Sequence, residues 1–138
     1  MSVRRPAVAG QFYPGSASEA RRMISELVEE DAKKESVIGA MGPHAGWMFS
    51  GRGAGMLYSR IEIPEKVVVL CPNHRGVGAN AAIMTEGKWQ LPTGDVEIDE
   101  TLARSILDKS DLIRDDDAAH LAEHSLEVHL PFIQHFLP

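Results

Sequence analysis

Lys66-Val67-Val68-Val69-Leu70-Cys71-Pro72-Asn73-His74 is an apolar, β-branched run that stops at a proline and hands a histidine to a loop. An earlier stretch, Val37-Ile38-Gly39-Ala40-Met41-Gly42-Pro43-His44, follows the same order. β-Branched residues suit the pleated surface of a strand, and proline cannot donate to a continuing ladder. Both segments therefore read as strands of an α/β fold with a partly parallel sheet, and both histidines as strand-end residues. In open α/β sheets ligands collect beyond the carboxyl ends of the strands, and imidazole is the commonest metal ligand among side chains. One metal site shared by His44 and His74 is the expectation.

The remaining segments supply flanking helices. Ser16 with Glu19 makes a capping box, and Ala20, Met23, Ile24, Leu27 and Val28 recur at helical spacing, which predicts a helix over 17–33 lying against the sheet. A second helix is predicted over 50–60, where Gly51, Gly53 and Gly55 would let backbone approach a strand closely. Asp99 is placed to cap a third, with Leu102, Ala103, Ile106 and Leu107 inward and its end before Ser110. Short strands are expected at 81–84 and within 89–96, around the turn Pro92-Thr93-Gly94. The acidic 115–117 suggests a solvated turn. Leu126, Leu130, Ile133 and Leu137 predict a last helix, kinked or restarted near Pro131.

Composition narrows the functional classes. The 138 residues, 43% hydrophobic, suit one α/β domain over 1–138. A formal charge of −6 without a Lys/Arg stripe argues against nucleic acid as a partner. No apolar stretch approaches 18 residues and the first 30 lack a signal-type segment, so neither a membrane nor export is expected and a cytoplasmic location is inferred. The single cysteine, Cys71, cannot form an internal disulfide and is read as a small core residue rather than a ligand.

A further group lies in His120-Leu121-Ala122-Glu123-His124-Ser125-Leu126-Glu127-Val128-His129-Leu130-Pro131. His120-x-x-Glu123-His124 has the spacing of an inverted zinc-protease motif. That motif needs a downstream acidic ligand, and no Asp or Glu follows Glu127. The plainer reading leaves His120 facing solvent, with Glu123, His124 and Glu127 binding backbone at a helix start.

With these residues in view, the chain resembles the N-terminal half of the Memo family, known in prokaryotes as AmmeMemoRadiSam system protein B. The resemblance rests on Arg5-Pro6-Ala7-Val8-Ala9-Gly10-Gln11-Phe12-Tyr13-Pro14, Pro43-His44-Ala45-Gly46-Trp47-Met48-Phe49-Ser50-Gly51, Pro72-Asn73-His74, Leu91-Pro92-Thr93-Gly94 and Glu123-His124-Ser125-Leu126-Glu127-Val128-His129-Leu130-Pro131-Phe132. It implies an extradiol-dioxygenase-like α/β fold, apparently truncated here, with a mononuclear metal pocket at one sheet edge. His44 and His74 match two ligands of that pocket. His124 matches a pocket residue that would act as general acid or base, and Trp47, Asn73, Glu123 and Glu127 would line the site. The family's further ligand, a cysteine, and another pocket histidine come from its second half.

The implied cofactor is Fe(II) or Cu, with Zn also compatible, and the implied activity a metal-dependent oxidoreductase of dioxygenase type acting on a small aromatic or anionic ligand. A non-catalytic binding module, with Trp47 and Arg52 helping to seat a peptide or anion, and an inactive fragment are the alternatives. A protein partner fits the resemblance. An apolar edge left bare in a half-length chain would also favour a homo-oligomer.

Overall fold

The structure, a computed structural model, describes residues 2–137. In chain order it contains β1 (Val3–Arg4), α1 (Ala17–Leu27), α2 (Trp47–Arg60), β2 (Ala82–Ile83), β3 (Lys88–Trp89), β4 (Val96–Glu97), α3 (Glu100–Asp108), β5 (Arg114–Asp115), a 3-10 turn at Asp117–Ala119, and α4 (Leu130–Phe136). β1 pairs parallel with β3, and β3 antiparallel with β4; β2 and β5 form a separate parallel pair. The α/β class holds, with small mixed and parallel sheets.

α1 begins as its sequence dictates, for Ser16 Oγ accepts from the Glu19 backbone N–H at 3.3 Å and Ala20 and Ile24 are buried. It stops at Leu27, short of the expected residue 33. Ser59 Oγ accepts from the Glu29 N–H at 2.8 Å, which draws the chain out of the helix. Glu29, Glu30 and Asp31 would also crowd negative charge at the negative end of the helix dipole. α2 starts at Trp47 rather than 50, with Gly46 at its N-cap. Asp99 caps α3 through a 2.9 Å bond from the Leu102 N–H.

The glycine face of α2 meets α1 instead of a strand. A Cβ at Gly51 would lie 2.9 Å from Leu27 Cδ1, and one at Gly55 would overlap the Leu27 carbonyl. Backbone cannot yield as a side chain does. Gly55→Ala should therefore destabilise the chain by about 3 kcal/mol, despite alanine's better helix propensity. A urea titration checks this; an unchanged or raised midpoint would refute the packing argument.

The three helices α1, α2 and α4 enclose the core. Phe132 is fully buried, stacked 5.7 Å from Tyr58 and tilted 5.0 Å from Trp47. β1 fixes the opposite side through Arg4, also fully buried, whose guanidinium sits 4.3 Å above the Trp89 ring. That guanidinium pairs with buried Glu127, which further accepts from the Ala7 and Val8 N–H groups at 2.9 and 3.1 Å and from Tyr13 OH at 2.8 Å.

Three expectations need correction. The runs 37–41 and 66–71 form no strand among the described residues, with bends at Ile38 and Lys66, because no neighbouring segment supplies a ladder. The acidic segment 115–117 is not a bare turn: Asp115 ends β5, and Asp116 caps the 3-10 turn by accepting from Ala118 N–H at 2.9 Å. The last helix, expected from Leu126, begins only at Leu130, just before Pro131, and turns carry the preceding residues into it.

Candidate metal centre

Three loops bring three imidazoles together. His44 lies between the run 37–41 and α2, whose first N–H, from Trp47, is donated to Phe12 O at 2.8 Å. His74 sits in a turn that Asn73 folds onto itself, accepting from Gly76 N–H at 2.9 Å and donating to Val77 O at 2.8 Å. Gly76, with φ +61°, occupies the left-handed region that this turn demands. His124 belongs to the turns before α4.

Hydrogen bonds tie these loops to one another. Ser125 OH donates to Pro72 O at 3.1 Å, joining the His124 segment to the His74 loop. The Trp47 indole N–H donates to Val128 O at 3.0 Å, joining the same segment to α2. The ring centroids are 5.1 Å apart for His44 and His74, 4.7 Å for His74 and His124, and 5.9 Å for His44 and His124. One nitrogen from each of the three lies within 4.8 Å of the others. Nitrogens ~2.1 Å from a tetrahedral ion are separated by about 3.4 Å, so inward movement of each ring by less than about 1 Å closes the set.

Glu123 orients the cluster. Its Oε1 lies 2.6 Å from His74 Nδ1, its Oε2 accepts from the His74 backbone N–H at 2.8 Å, and Oε1 also accepts from Ser125 N–H at 3.2 Å. Burial alone would raise its pKa, yet the hydrogen bonds from His74 and Ser125 outweigh that and hold it down to about 2. The carboxylate is thus ionised and accepts only. His74 Nδ1–H therefore donates to it, and in the neutral ring the lone pair then lies on Nε2. Burial likewise lowers the proton affinity of His124, reinforced by the neighbouring His74, His44 and Arg75 and opposed by Glu123.

The cluster opens into a cleft of about 990 Å³ lined by His44, His124, Phe12, Met41, Phe49 and Leu70, among others. Phe12 packs 4.6 Å from the His124 ring. Phe12 stands in a turn, and no spacing in the sequence ties it to His124.

The structure places the other sequence candidates apart from this cleft. Trp47 is buried in the core. Glu127 is fully buried and spent on Arg4, Tyr13 and two backbone N–H groups. Asn73 shapes its own turn, and Cys71 is half-buried, its thiol pushed up by burial. His120, expected to face solvent, lies 5.9 Å from Trp89 with its Nε2 buried.

His129 lies behind the cluster, with Nδ1 2.9 Å from Tyr58 Oη. Burial, joined by repulsion from His44, brings its pKa from 6.5 down to about 4. Unfolding would release it to bind a proton, so its contribution is complete above pH 6.5 and drains away as pH falls toward 4. That window is worth about 3 kcal/mol. Denaturation of the metal-free chain at pH 7 and 4.5 should show the loss, and His129→Gln should remove much of the slope; equal slopes would contradict the assignment.

A partly parallel α/β protein with three clustered imidazoles, two of them lining an apolar cleft, is the class that this fold and site define. The chain belongs to the Memo-like protein family, whose model matches residues 4–138. A MEMO1 family protein of Aquifex aeolicus is 46% identical over 99% of this chain and 51% of its own length. Those of Methanothermobacter thermautotrophicus and Pyrococcus furiosus are 42% and 43% identical, over 97% and 96% of this chain and 53% and 47% of their own. The chain thus spans about half the length of the curated relatives it matches. None of the described helices is long and apolar enough to cross a membrane.

Proposed function

We propose that this protein holds one divalent transition metal on His44, His74 and His124 and serves as a dioxygenase-like oxidoreductase for a small aromatic ligand. The observation that carries the reading is the convergence of three imidazole nitrogens within 4.8 Å. Three neutral nitrogen donors suit Zn, Cu and Fe, and a three-ligand set leaves positions open. Iron bound there would supply the electron chemistry that dioxygen requires.

The chain's own residues do the rest. Glu123 fixes the tautomer and direction of His74. His124 is assigned as the third ligand, in preference to the proton carrier expected from sequence, because its nitrogen belongs to the same compact set. Phe12, Met41, Phe49 and Leu70 offer apolar contact to an aromatic ring. With Trp47 buried and Arg52 outside the lining of the cleft, an anionic ligand finds less support than an aromatic one.

The test is to load chelator-treated protein with Fe2+ under anaerobic conditions and measure dioxygen uptake with a catechol. Binding of one Fe2+ and catechol-dependent uptake are expected. Stoichiometric metal without uptake would reduce the reading to a binding module, and failure to bind metal would overturn it.

A further inference from the structure

Behind the His74 loop lies a second cavity, of about 280 Å³, that shares only Leu70 and Pro72 with the histidine cleft. Ala81, Ala82, Ile113, Ala119 and Leu126 give it apolar walls. An adjoining space of about 210 Å³ borders α3 and meets the cavity along Val69, Trp89 and His120, among others. A cavity of about 150 Å³ with apolar walls already admits benzene.

The polar groups of the walls are nearly all committed. Both Glu123 oxygens accept from His74 or Ser125, and the Asn73 amide is spent on its own turn. The Cys71 thiol is a weak donor, and Asn80 is exposed. What remains is His120. Its Nε2 is the one buried side-chain nitrogen or oxygen among the described residues that has no hydrogen-bond partner. Arg4 holds the His120 carbonyl at 3.1 and 3.0 Å, and the imidazole stands edge-on to buried Trp89 at 5.9 Å, so backbone and ring are both fixed in place. Burial, joined by Arg4, lowers the proton affinity of the ring against the opposing Asp117, Asp116 and Glu123. A neutral imidazole nitrogen donates or accepts according to its tautomer, and a hydroxyl answers either form.

We propose that the cavity behind His74 is a second small-molecule site, taking a neutral, single-ring phenol whose hydroxyl pairs with His120 Nε2 and whose ring lies among Trp89, Ala82 and Leu126. An anion would meet ionised Glu123 with no free cation beside it. The site uses none of the three clustered histidines, so it stands or falls separately from the metal.

Titration of the ¹⁵N-labelled, chelator-treated chain with phenol tests it. Amide shifts at Ala81, Ala82 and Ala119 are expected to saturate at one phenol per chain, while those of Phe12, Ala45 and Phe49 in the histidine cleft stay unmoved. Toluene keeps the ring and lacks the hydroxyl, and should bind about 10-fold more weakly. His120→Phe should erase that difference. The substitution removes an unpaired buried nitrogen and is expected to fold; if it does not, the contrast between phenol and toluene in the unaltered chain decides alone. Shifts confined to the histidine cleft, a titration that never saturates, or equal affinity for the two ligands would overturn the proposal. So would a folded His120→Phe chain that still prefers phenol.

Discussion

Replacing His44, His74 or His124 singly with alanine is expected to weaken Zn2+ binding by more than about 100-fold, with Glu123→Gln falling between those variants and the unaltered protein. The order follows from what each group touches. A histidine removed takes one of only three donors from the set. Glu123 holds His74 from outside, and loss of such a partner costs about 10–100-fold in metal affinity. Glutamine can keep the bond from His74 Nδ1–H to its oxygen, but its NH₂ group then faces the His74 backbone N–H, donor against donor. Competition with a chromophoric chelator reads all five constants. Equal affinity in any histidine variant would remove that residue from the site, and an unaltered Glu123→Gln affinity would refute the orienting role.

Glu127→Ala should cost the largest share of stability of any single change considered. It strips the buried Arg4 guanidinium of its counter-charge and leaves the Ala7 and Val8 N–H groups and Tyr13 OH without an acceptor. Breaking one side of a buried pair costs about 3–5 kcal/mol, against a total of about 5–15 kcal/mol for a domain. The variant is expected to be largely unfolded at moderate urea. Arg4 also donates to the carbonyls of His120 and Glu123, at 3.0 and 2.7 Å, so the loss spreads to the segment that presents His124. The double variant Arg4→Met with Glu127→Leu should be markedly less damaging than the sum of the single changes. Strict additivity in that cycle would show that the pair is not coupled.

Much of the site was legible because it depends on local chemistry. Proline and glycine around His44 and His74 fix loop backbones in any context, and these rings do meet. The caps at Ser16 and Asp99 are likewise local, and both helices begin where those side chains accept. Long-range partners were harder to read. Val67 to Leu70 have the composition of a strand, but strand structure needs a neighbour, and composition cannot say whether one is present. Glu127 was expected in the pocket from the family resemblance, and its spacing from Glu123 suited a helix start. Instead the chain turns there, sending one carboxylate to His74 and the other to Arg4, 123 residues away in sequence.

The account turns on three imidazoles sharing one ion. X-ray absorption at the zinc edge of the Zn2+-loaded protein measures that directly. The expected spectrum shows nitrogen donors at ~2.0–2.1 Å, with outer-shell scattering from three imidazole rings that drops to two in His124→Ala. A shell of oxygen donors without imidazole scattering, or one unchanged by that substitution, would contradict it.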